Sequence, residues 1–227
     1  SSDLVAHAMN VHRGDRMTHL TCMETDQFCI TAYAKEKFGE DSPEAKETYR
    51  QGDMNTTMIR TEKGKTILIQ HDVVSPRPYS RIHLLSGTKG IARKYPSEAV
   101  SFSHEDGWLP EEERKELLEK YEHPIARVIG GEAKEVGGHG GMDFIMDYRL
   151  VHCLHHGLPL DQNVYDAAAW SALVELSRYS VENYSVPVAF PDFTRGAWNE
   201  EQGTWYYDPD MDGKVDGSEP DFLSSPL

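Results

Sequence analysis

Apolar residues recur along the chain at two different spacings, and the dominant spacing changes near residue 110. Alternating apolar and polar residues predict strands at 16–24, 55–61, 65–73, 81–86 and 90–95. A helical spacing predicts helices at 28–38, 43–50, 110–121, 142–156 and 161–182. After Pro187 the pattern breaks into loop. Strands followed by helices predict an α+β fold, with a mostly antiparallel open sheet that helices cover on one face. We expect this domain to span residues 1–198, before an acidic tail at 199–227.

A glycine-rich turn precedes the predicted helix at 142–156. Four glycines surround His139, so the backbone there can turn sharply and approach a bound molecule closely. The helix carries one apolar stripe, formed by Met146, Leu150, Val151 and Leu154. Asp143 and Asp147 extend that stripe toward the helix start, where free N–H groups favour negative charge. Two acids on an inward face predict a polar-ligand site. The alternative is an ordinary glycine turn followed by a helix whose first turns are solvated.

Composition narrows the classes of ligand. The 227 residues carry a net charge of −15, which argues against nucleic acid or an anionic membrane as partner. A neutral or cationic small molecule, or a sugar, fits better. No apolar run approaches the roughly 18 residues of a membrane span. The start at Ser1, without an initiator methionine, suggests a processed or excised segment. The three cysteines match no zinc spacing and are interpreted as free thiols: Cys22, Cys29 and Cys153.

Two further motifs have ordinary explanations. His152, His155 and His156 include an i,i+4 pair, but no acidic third ligand accompanies them at a zincin spacing. A histidine cluster favoured by the negative end of the helix dipole explains them better than a metal site. The tripeptide Arg13-Gly14-Asp15 occurs often by chance, and we attach no adhesion role to it.

The acidic tail contains a candidate calcium loop. Residues 208–219 match a twelve-residue calcium-binding loop, with hard oxygen ligands at alternate positions and Gly213 at the tight turn. Its expected ligands are Asp208, Asp210, Asp212, the backbone carbonyl of Lys214, Asp216 and Glu219. The flanks do not match a full EF-hand, because Pro220 obstructs an outgoing helix. The alternative is an acidic, disordered tail.

Seven ordered motifs within residues 4–198 resemble one family. They are Met9–Arg16, Gly52–Thr57, Ser75–Arg81, Gly87–Gly90, His139–Phe144, Leu158–Asp166 and Pro191–Gly196. Together they resemble the C-terminal half of the NAD-dependent glycoside hydrolases of family 109. These are α-N-acetylgalactosaminidase-like members of the Gfo/Idh/MocA oxidoreductase superfamily.

The resemblance implies a fold and a reaction. In such enzymes an N-terminal Rossmann domain holds NAD, while the C-terminal α+β domain supplies an open sheet and part of the sugar pocket. The implied reaction removes a hydride from C3 of the sugar, eliminates the aglycone, adds water and returns the hydride. The chain shows neither a Rossmann half nor the Tyr-Pro-Thr-His segment of such relatives, so we expect it to need a Rossmann partner in cis or trans. Because relatives are often exported by bacteria, the parent protein is expected in the periplasm or at the cell surface.

The resemblance also proposes site residues. It assigns a sugar contact to Tyr79, in a loop where Arg77 and Arg81 supply planar donor forks. The residues alone favour an ordinary strand-end turn with solvated arginines, and it is the resemblance that favours Tyr79 as a ligand contact. His139 is a candidate acid, base or hydroxyl donor, because its ordinary pKa lies near neutrality. Asp143 is a candidate substrate contact. A second hypothesis is a non-catalytic module that binds sugar or protein, and we expect the exposed sheet to drive homo-oligomerisation.

Overall fold

A computed structural model describes residues 2–105 and 107–200 of the chain. The α-helices, in chain order, are α1 (Ser2–Met9), α2 (Cys29–Phe38), α3 (Pro43–Lys46), α4 (Glu111–Lys120), α5 (Pro124–Val136), α6 (Met142–His156) and α7 (Val164–Glu182). The strands are β1 (Met17–Glu24), β2 (Met54–Thr61), β3 (Thr66–Asp72), β4 (Leu84–Ser86), β5 (Ile91–Arg93), β6 (Ala99–Ser101) and β7 (Val188–Ala189). Two compact units divide these elements. Of the described residues, the first comprises those up to Pro78 together with 162–200, and the second comprises Tyr79–Asp161.

The first unit is an antiparallel sheet with α7 against one face. The strand order is β3-β2-β1-β7, and every neighbouring pair runs antiparallel. The side chains alternate across the pleat, so Thr57, Ile59 and Thr61 are buried while Met58 is exposed. Thr57 Oγ1 lies 3.3 Å from Ser177 Oγ of α7, which identifies the buried face as the one that α7 covers. This arrangement confirms the predicted α+β class and open antiparallel sheet.

A buried charge cluster fixes the start of α7. Asp166 is fully buried, and its Oδ2 accepts a hydrogen bond from Arg13 Nη2 at 2.9 Å. Its Oδ1 accepts from Arg13 Nη1 at 3.1 Å and also lies 3.1 Å from His12 Nδ1. Burial alone would raise the pKa of Asp166, but the hydrogen bonds from His12 and Arg13 outweigh it and hold this pKa far below its usual range. The side chain of Asn163 caps the same helix end reciprocally with Asp166. Arg13 and Asp15 are both buried, so the Arg13-Gly14-Asp15 tripeptide is a structural loop.

The second unit contains a small sheet and three helices. Strands β4, β5 and β6 form an antiparallel sheet in that order. Helices α5 and α6 pack against each other through Ile125 and Ile129 of α5, with Phe144 and Ile145 of α6. Arg149 of α6 is buried and forms a two-pronged ion pair with Asp161, with Nε–Oδ2 and Nη2–Oδ1 distances of 2.8 Å.

The structure confirms most predicted elements and corrects one orientation. Helix α6 begins and ends at the predicted residues, and the hairpin of β2 and β3 lies where alternation placed it. The predicted inward stripe of α6 is wrong: Met146, Val151 and Leu154 are each about two-thirds exposed. The buried side of α6 contains Arg149 and Cys153 instead, so Asp143 and Asp147 belong to the exposed side. Helix α3 is also shorter than the predicted helix at 43–50.

Candidate functional site

The glycine-rich turn between α5 and α6 has an unusual backbone. Residues 137–141 all have positive φ, including His139 at 48°. A side chain at Gly141 would place its Cβ 2.8 Å from the backbone carbonyl carbon of Ala133, and one at Gly138 would meet Asp143 Oδ2 at 2.9 Å. Only glycine therefore fits both positions. The turn holds α5 and α6 close and presents His139 in a left-handed conformation that non-glycine residues seldom adopt.

His139 and Asp143 form a hydrogen-bonded pair on the surface of this turn. His139 Nδ1 lies 2.9 Å from Asp143 Oδ2, and the side chains are 72% and 51% exposed. The carboxylate engages Nδ1, which leaves Nε2 as the ring nitrogen that Asp143 does not contact. The sequence predicted the two residues separately, as a candidate acid or base and a candidate substrate contact. A histidine oriented by a carboxylate can exchange a proton with a hydroxyl group.

An open cleft of about 670 Å³ lies beside the turn, within the second unit. It is lined by Val136, Gly137, Gly138, Asp143, Phe144, Asp147, Tyr148, Val151, His152, His155 and His156. Its walls are therefore mostly ring and aliphatic surfaces, and its carboxylates come from the first two turns of α6. Its volume lies within the range of small-molecule pockets.

The histidines of this cleft pack against one another. In the described part of the chain they do not form part of a three-ligand metal site. The rings of His152 and His156 lie 4.2 Å apart, and His155 meets His156 edge-on at 4.9 Å. Within residues 2–105 and 107–200, no three histidine, cysteine or acidic side chains converge on a metal-sized site. Burial lowers the pKa of His152, and His156, Arg149 and His155 lower it further by repelling the imidazolium. His152 is therefore neutral at physiological pH and presents an uncharged ring to the cleft.

The loop after β3 splits between the two units. Arg77 belongs to the first unit, where its Nη2 lies 3.0 Å from Asp72 Oδ2. The backbone N–H groups of Val74 and Ser75 donate to Asp72 Oδ1, so Arg77 braces a capped turn. Hydrogen bonds from Ser75 hold the pKa of Asp72 below its usual range. In the second unit, Arg81 lies 5.5 Å over the ring of Tyr79 and donates from Nε to its hydroxyl. Tyr79 is 73% exposed, which leaves most of its ring open to a ligand.

The structure joins the predicted site residues into two pairs. One pair is His139 with Asp143, and the other is Tyr79 with Arg81. Asp143 lines the cleft, whereas His139, Tyr79 and Arg81 are not among its lining residues. Sequence reasoning missed the aromatic lining of the cleft. The i,i+4 spacing of Phe144, Tyr148, His152 and His156 was the signal that could have found it.

The described residues do not form a dinucleotide cradle. Such a cradle places a glycine-rich turn between a strand and a helix, so that the helix N-terminus receives the pyrophosphate. Here the glycine turn joins helix α5 to helix α6. The candidate calcium loop at 208–219 lies outside the described residues, and the Ca²⁺ site stays a prediction.

Comparison with known proteins places the chain in a family. Residues 3–200 match the family model described as glycosyl hydrolase 109, C-terminal domain. The chain belongs to glycoside hydrolase family 109. Within this family it is 50% identical over 197 residues to an α-N-acetylgalactosaminidase of Bacteroides fragilis, covering 86% of the chain and 46% of that protein. It is 52% identical over 198 residues to glycosyl hydrolase family 109 protein 2 of Phocaeicola vulgatus, covering 86% of the chain and 48% of that protein.

A third family 109 relative shows the same partial coverage. A glycosyl hydrolase family 109 protein of Porphyromonas gingivalis is 50% identical over 210 residues, covering 86% of the chain and 44% of that protein. The chain therefore spans a little less than half the length of the relatives it matches. In the described part of the chain, no helix has the length and apolar character needed to cross a membrane.

Proposed function

We propose that the chain is the substrate-side domain of an NAD-dependent glycosidase that acts on N-acetylgalactosaminide-like sugars. The observation that carries the proposal is the 50% identity to a relative named α-N-acetylgalactosaminidase, which extends over 86% of the chain. The geometry of the second unit is compatible with it. Tyr79 offers an exposed ring and a hydroxyl, and Arg81 steadies both. A net charge of −15 favours a neutral or cationic ligand such as an amino sugar over an anionic one.

The chain's own residues would bind and orient the sugar. Tyr79 would stack on the ring of the sugar and donate or accept at a hydroxyl group, while Arg81 donates from its remaining N–H groups. Arg77 would act less directly, because its guanidinium is already paired with Asp72. His139 would hold or move a proton at a sugar oxygen through Nε2, with Asp143 fixing its tautomer.

The redox part of the proposed reaction needs a second domain. Since the described residues form no dinucleotide cradle, NAD would be held by a Rossmann domain, in cis or in trans. We therefore propose that residues 1–227 alone do not hydrolyse glycosides. The proposed elimination and hydration become possible only when that domain is present.

A chimera tests this function. Residues 3–200 would replace the matching segment of the Bacteroides fragilis α-N-acetylgalactosaminidase. The expected result is cleavage of p-nitrophenyl α-N-acetylgalactosaminide by the chimera and none by the 227-residue chain. Tyr79→Phe keeps the ring and removes the hydroxyl, so it should lower kcat/KM by about tenfold, the effect of losing one hydrogen bond of about 1.4 kcal/mol. Tyr33→Phe, at an exposed tyrosine of the first unit, is the matched control and should leave kcat/KM unchanged.

Two results would contradict the proposal. Cleavage by the 227-residue chain alone would show that no second domain is needed. A folded chimera that retains bound NAD yet fails to cleave the glycoside would show that this domain recognises a different substrate.

The uncovered face of the first unit favours a second role, self-association. Met58 pairs directly with Leu68 of β3 and Thr21 of β1, on the sheet face opposite α7. Met23, Met58 and Leu68 are each more than half exposed on the described chain. Apolar residues at the centre of an open sheet are typical of an interface, so we propose that this face pairs with a second copy.

Sedimentation measurements test the self-association. Met58→Lys should convert a dimer into a monomer, because it places a charge at the centre of the sheet face. Val174→Lys, on an exposed position of α7, is the control and should leave the dimer intact. A wild-type chain that sediments as a monomer at high concentration would contradict the proposal.

The candidate calcium loop has its own test. We propose that the acidic loop at 208–219 binds Ca²⁺ through its alternating oxygen ligands. Calorimetric titration should give a binding isotherm that Asp212→Ala abolishes. Absence of heat on addition of Ca²⁺ to the wild-type chain would remove the proposal.

A further inference from the structure

One face of α6 carries a column of four stacked rings. Phe144 and Tyr148 have ring centroids 6.4 Å apart, Tyr148 and His152 are 6.2 Å apart, and His152 and His156 are 4.2 Å apart. The planes of successive rings differ by only 15–28°. All four residues line the cleft of about 670 Å³. The column therefore supplies one long, nearly continuous aromatic wall.

Carboxylates follow the same wall. Asp143 and Asp147 each precede a ring of the column by one residue, and both line the cleft. A carboxylate accepts hydrogen bonds through two oxygens and donates none, so this edge suits a ligand rich in hydroxyl or amide donors. The backbone of Gly137 and Gly138 closes the end of the cleft without side chains, and Gly138 lies directly against the carboxylate of Asp143.

We propose that this cleft is a saccharide-binding site, separate from the contact made by Tyr79. The proposal rests on the proposed function, because a glycosidase of this family would be offered oligosaccharide chains. A sugar ring has an apolar C–H face and a rim of hydroxyl groups. The apolar ring surface that Tyr148 and its neighbours present along the cleft matches the C–H face, while Asp143 and Asp147 accept from the rim. Acidic sugars are excluded by the same carboxylates.

The ligand proposed for this cleft is a neutral or amine-bearing oligosaccharide. The cleft is elongated along α6, since its lining spans residues 143 to 156 on that helix, close to four turns. A single sugar would contact one or two rings of the column. We therefore expect affinity to increase with chain length from mono- to trisaccharide.

Histidine NMR signals give a direct test. Methyl α-N-acetylgalactosaminide, and a disaccharide and trisaccharide that end in α-N-acetylgalactosamine, would be titrated into the full 227-residue chain. The Cε1–H signals of His152, His155 and His156 should shift with the trisaccharide, whereas those of His71 and His19 in the first unit should not. Each signal would be assigned from a histidine-to-asparagine variant.

Variants locate the binding energy. Tyr148→Ala should weaken trisaccharide binding by about fivefold, and Tyr148→Phe should restore it because the ring returns. Tyr165→Ala, at a similarly exposed tyrosine of α7, is the matched control. Asp147→Ala should also weaken binding, whereas Glu113→Ala on α4 should not. Unchanged backbone amide spectra would show that each variant is folded.

The outcomes separate this proposal from the proposed function. Shifts at His152, His155 and His156 that Tyr148→Ala suppresses support the cleft as a carbohydrate site, even where the chimera cleaves no glycoside. Absence of those shifts overturns the cleft proposal, even where the chimera is active and depends on Tyr79. Equal shifts for the monosaccharide and the trisaccharide would overturn the elongated site.

Discussion

The two units of this family 109 domain use charge and apolar surface in opposite ways. In the first unit a carboxylate, Asp166, is fully buried and paired with Arg13 and His12, while the apolar core closes around Leu20 and Ile59. In the second unit the buried apolar residues are few, and Met146, Val151 and Leu154 of α6 stay exposed. Buried ion pairs fix geometry more than they add stability, whereas exposed apolar surface is available to ligands and partners. The first unit thus supplies a scaffold and the sheet face proposed for self-association, and the second carries the proposed ligand-binding surfaces.

The largest expected effect comes from breaking the buried charge cluster. Asp166→Asn leaves the guanidinium of Arg13 buried without its counter-charge, so it should lower the free energy of unfolding of the first unit by about 3–5 kcal/mol. Urea unfolding followed by tryptophan fluorescence would measure the change. Asp41→Asn, in an exposed pair with Lys46, is the control and should leave the unfolding midpoint unchanged. A midpoint for Asp166→Asn equal to wild type would mean that the cluster contributes nothing to the scaffold.

In the second unit, we expect the largest loss of stability from a substitution in the glycine turn. Gly141→Ala would combine a positive φ of 97° with a Cβ only 2.8 Å from the carbonyl carbon of Ala133, at a cost of about 2–4 kcal/mol. Gly140→Ala shares a positive φ, 72°, but has no atom within 4 Å of the added Cβ, so it should cost only about 1 kcal/mol. Hydrogen exchange of the α5 and α6 amides would compare the two. Equal protection in both variants would show that the clash is relieved by a shift of the turn.

The sequence predicted the hairpin of the first unit correctly but not the buried side of α6 in the second. Alternation across 54–72 predicted the hairpin because each strand has one buried face, as Thr57 and Met58 show. Gly157 and the glycine turn predicted both ends of α6. The burial of that helix was not predictable, because the stripe of Met146 and Leu154 looks like a core face, and the side that is buried contains Arg149, which is paired with Asp161. Local periodicity identifies an amphipathic helix but does not say which partner covers it.

The candidate site shows the same division between local and distant information. The pairing of His139 with Asp143 was predictable as one site, since residues four apart meet across a helical turn. The charge cluster of Asp166 was missed because its partners lie more than 150 positions away in the sequence. The ion pair of Arg77 with Asp72 was also missed, although the two residues are close in the sequence. Asp72 accepts hydrogen bonds from two backbone N–H groups of the turn as well as pairing with the arginine, and the sequence pattern does not reveal this shared use of one carboxylate.

A smaller effect tests how α7 is attached to the sheet. Ser180 is fully buried, accepts from the backbone N–H of Cys22 at 3.0 Å and donates to the carbonyl of Val186 at 2.8 Å. Ser180→Ala leaves both backbone groups without this partner, so it should cost about 1–3 kcal/mol. Ser171→Ala, at an exposed position of the same helix, is the matched control. Urea midpoints that are the same for the two variants would show that water replaces the hydroxyl.

The smallest expected effect is a difference in acid sensitivity between the units. In the second unit, burial lowers the pKa values of His123 and His152, so both are neutral when folded and gain protons on unfolding. A lowered folded pKa contributes stability that is present above the unfolded value, about 6.5, and is lost as the pH falls toward the folded value. In the first unit the lowered groups are carboxyls, chiefly Asp166, whose contribution is lost only below about pH 4.

Hydrogen exchange between pH 7 and pH 5 measures this difference. Opening free energies for α5 and α6 should decrease over this interval, while those for α7 stay constant. His152→Gln, which cannot titrate, should reduce the decrease in α6 and leave α7 unaffected. If α7 loses protection first as the pH falls from 7, the assignment of the histidine-dependent instability to the second unit is wrong. A parallel loss in both units would mean that they unfold as one cooperative body, and that the division between scaffold and recognition surface does not extend to their stability.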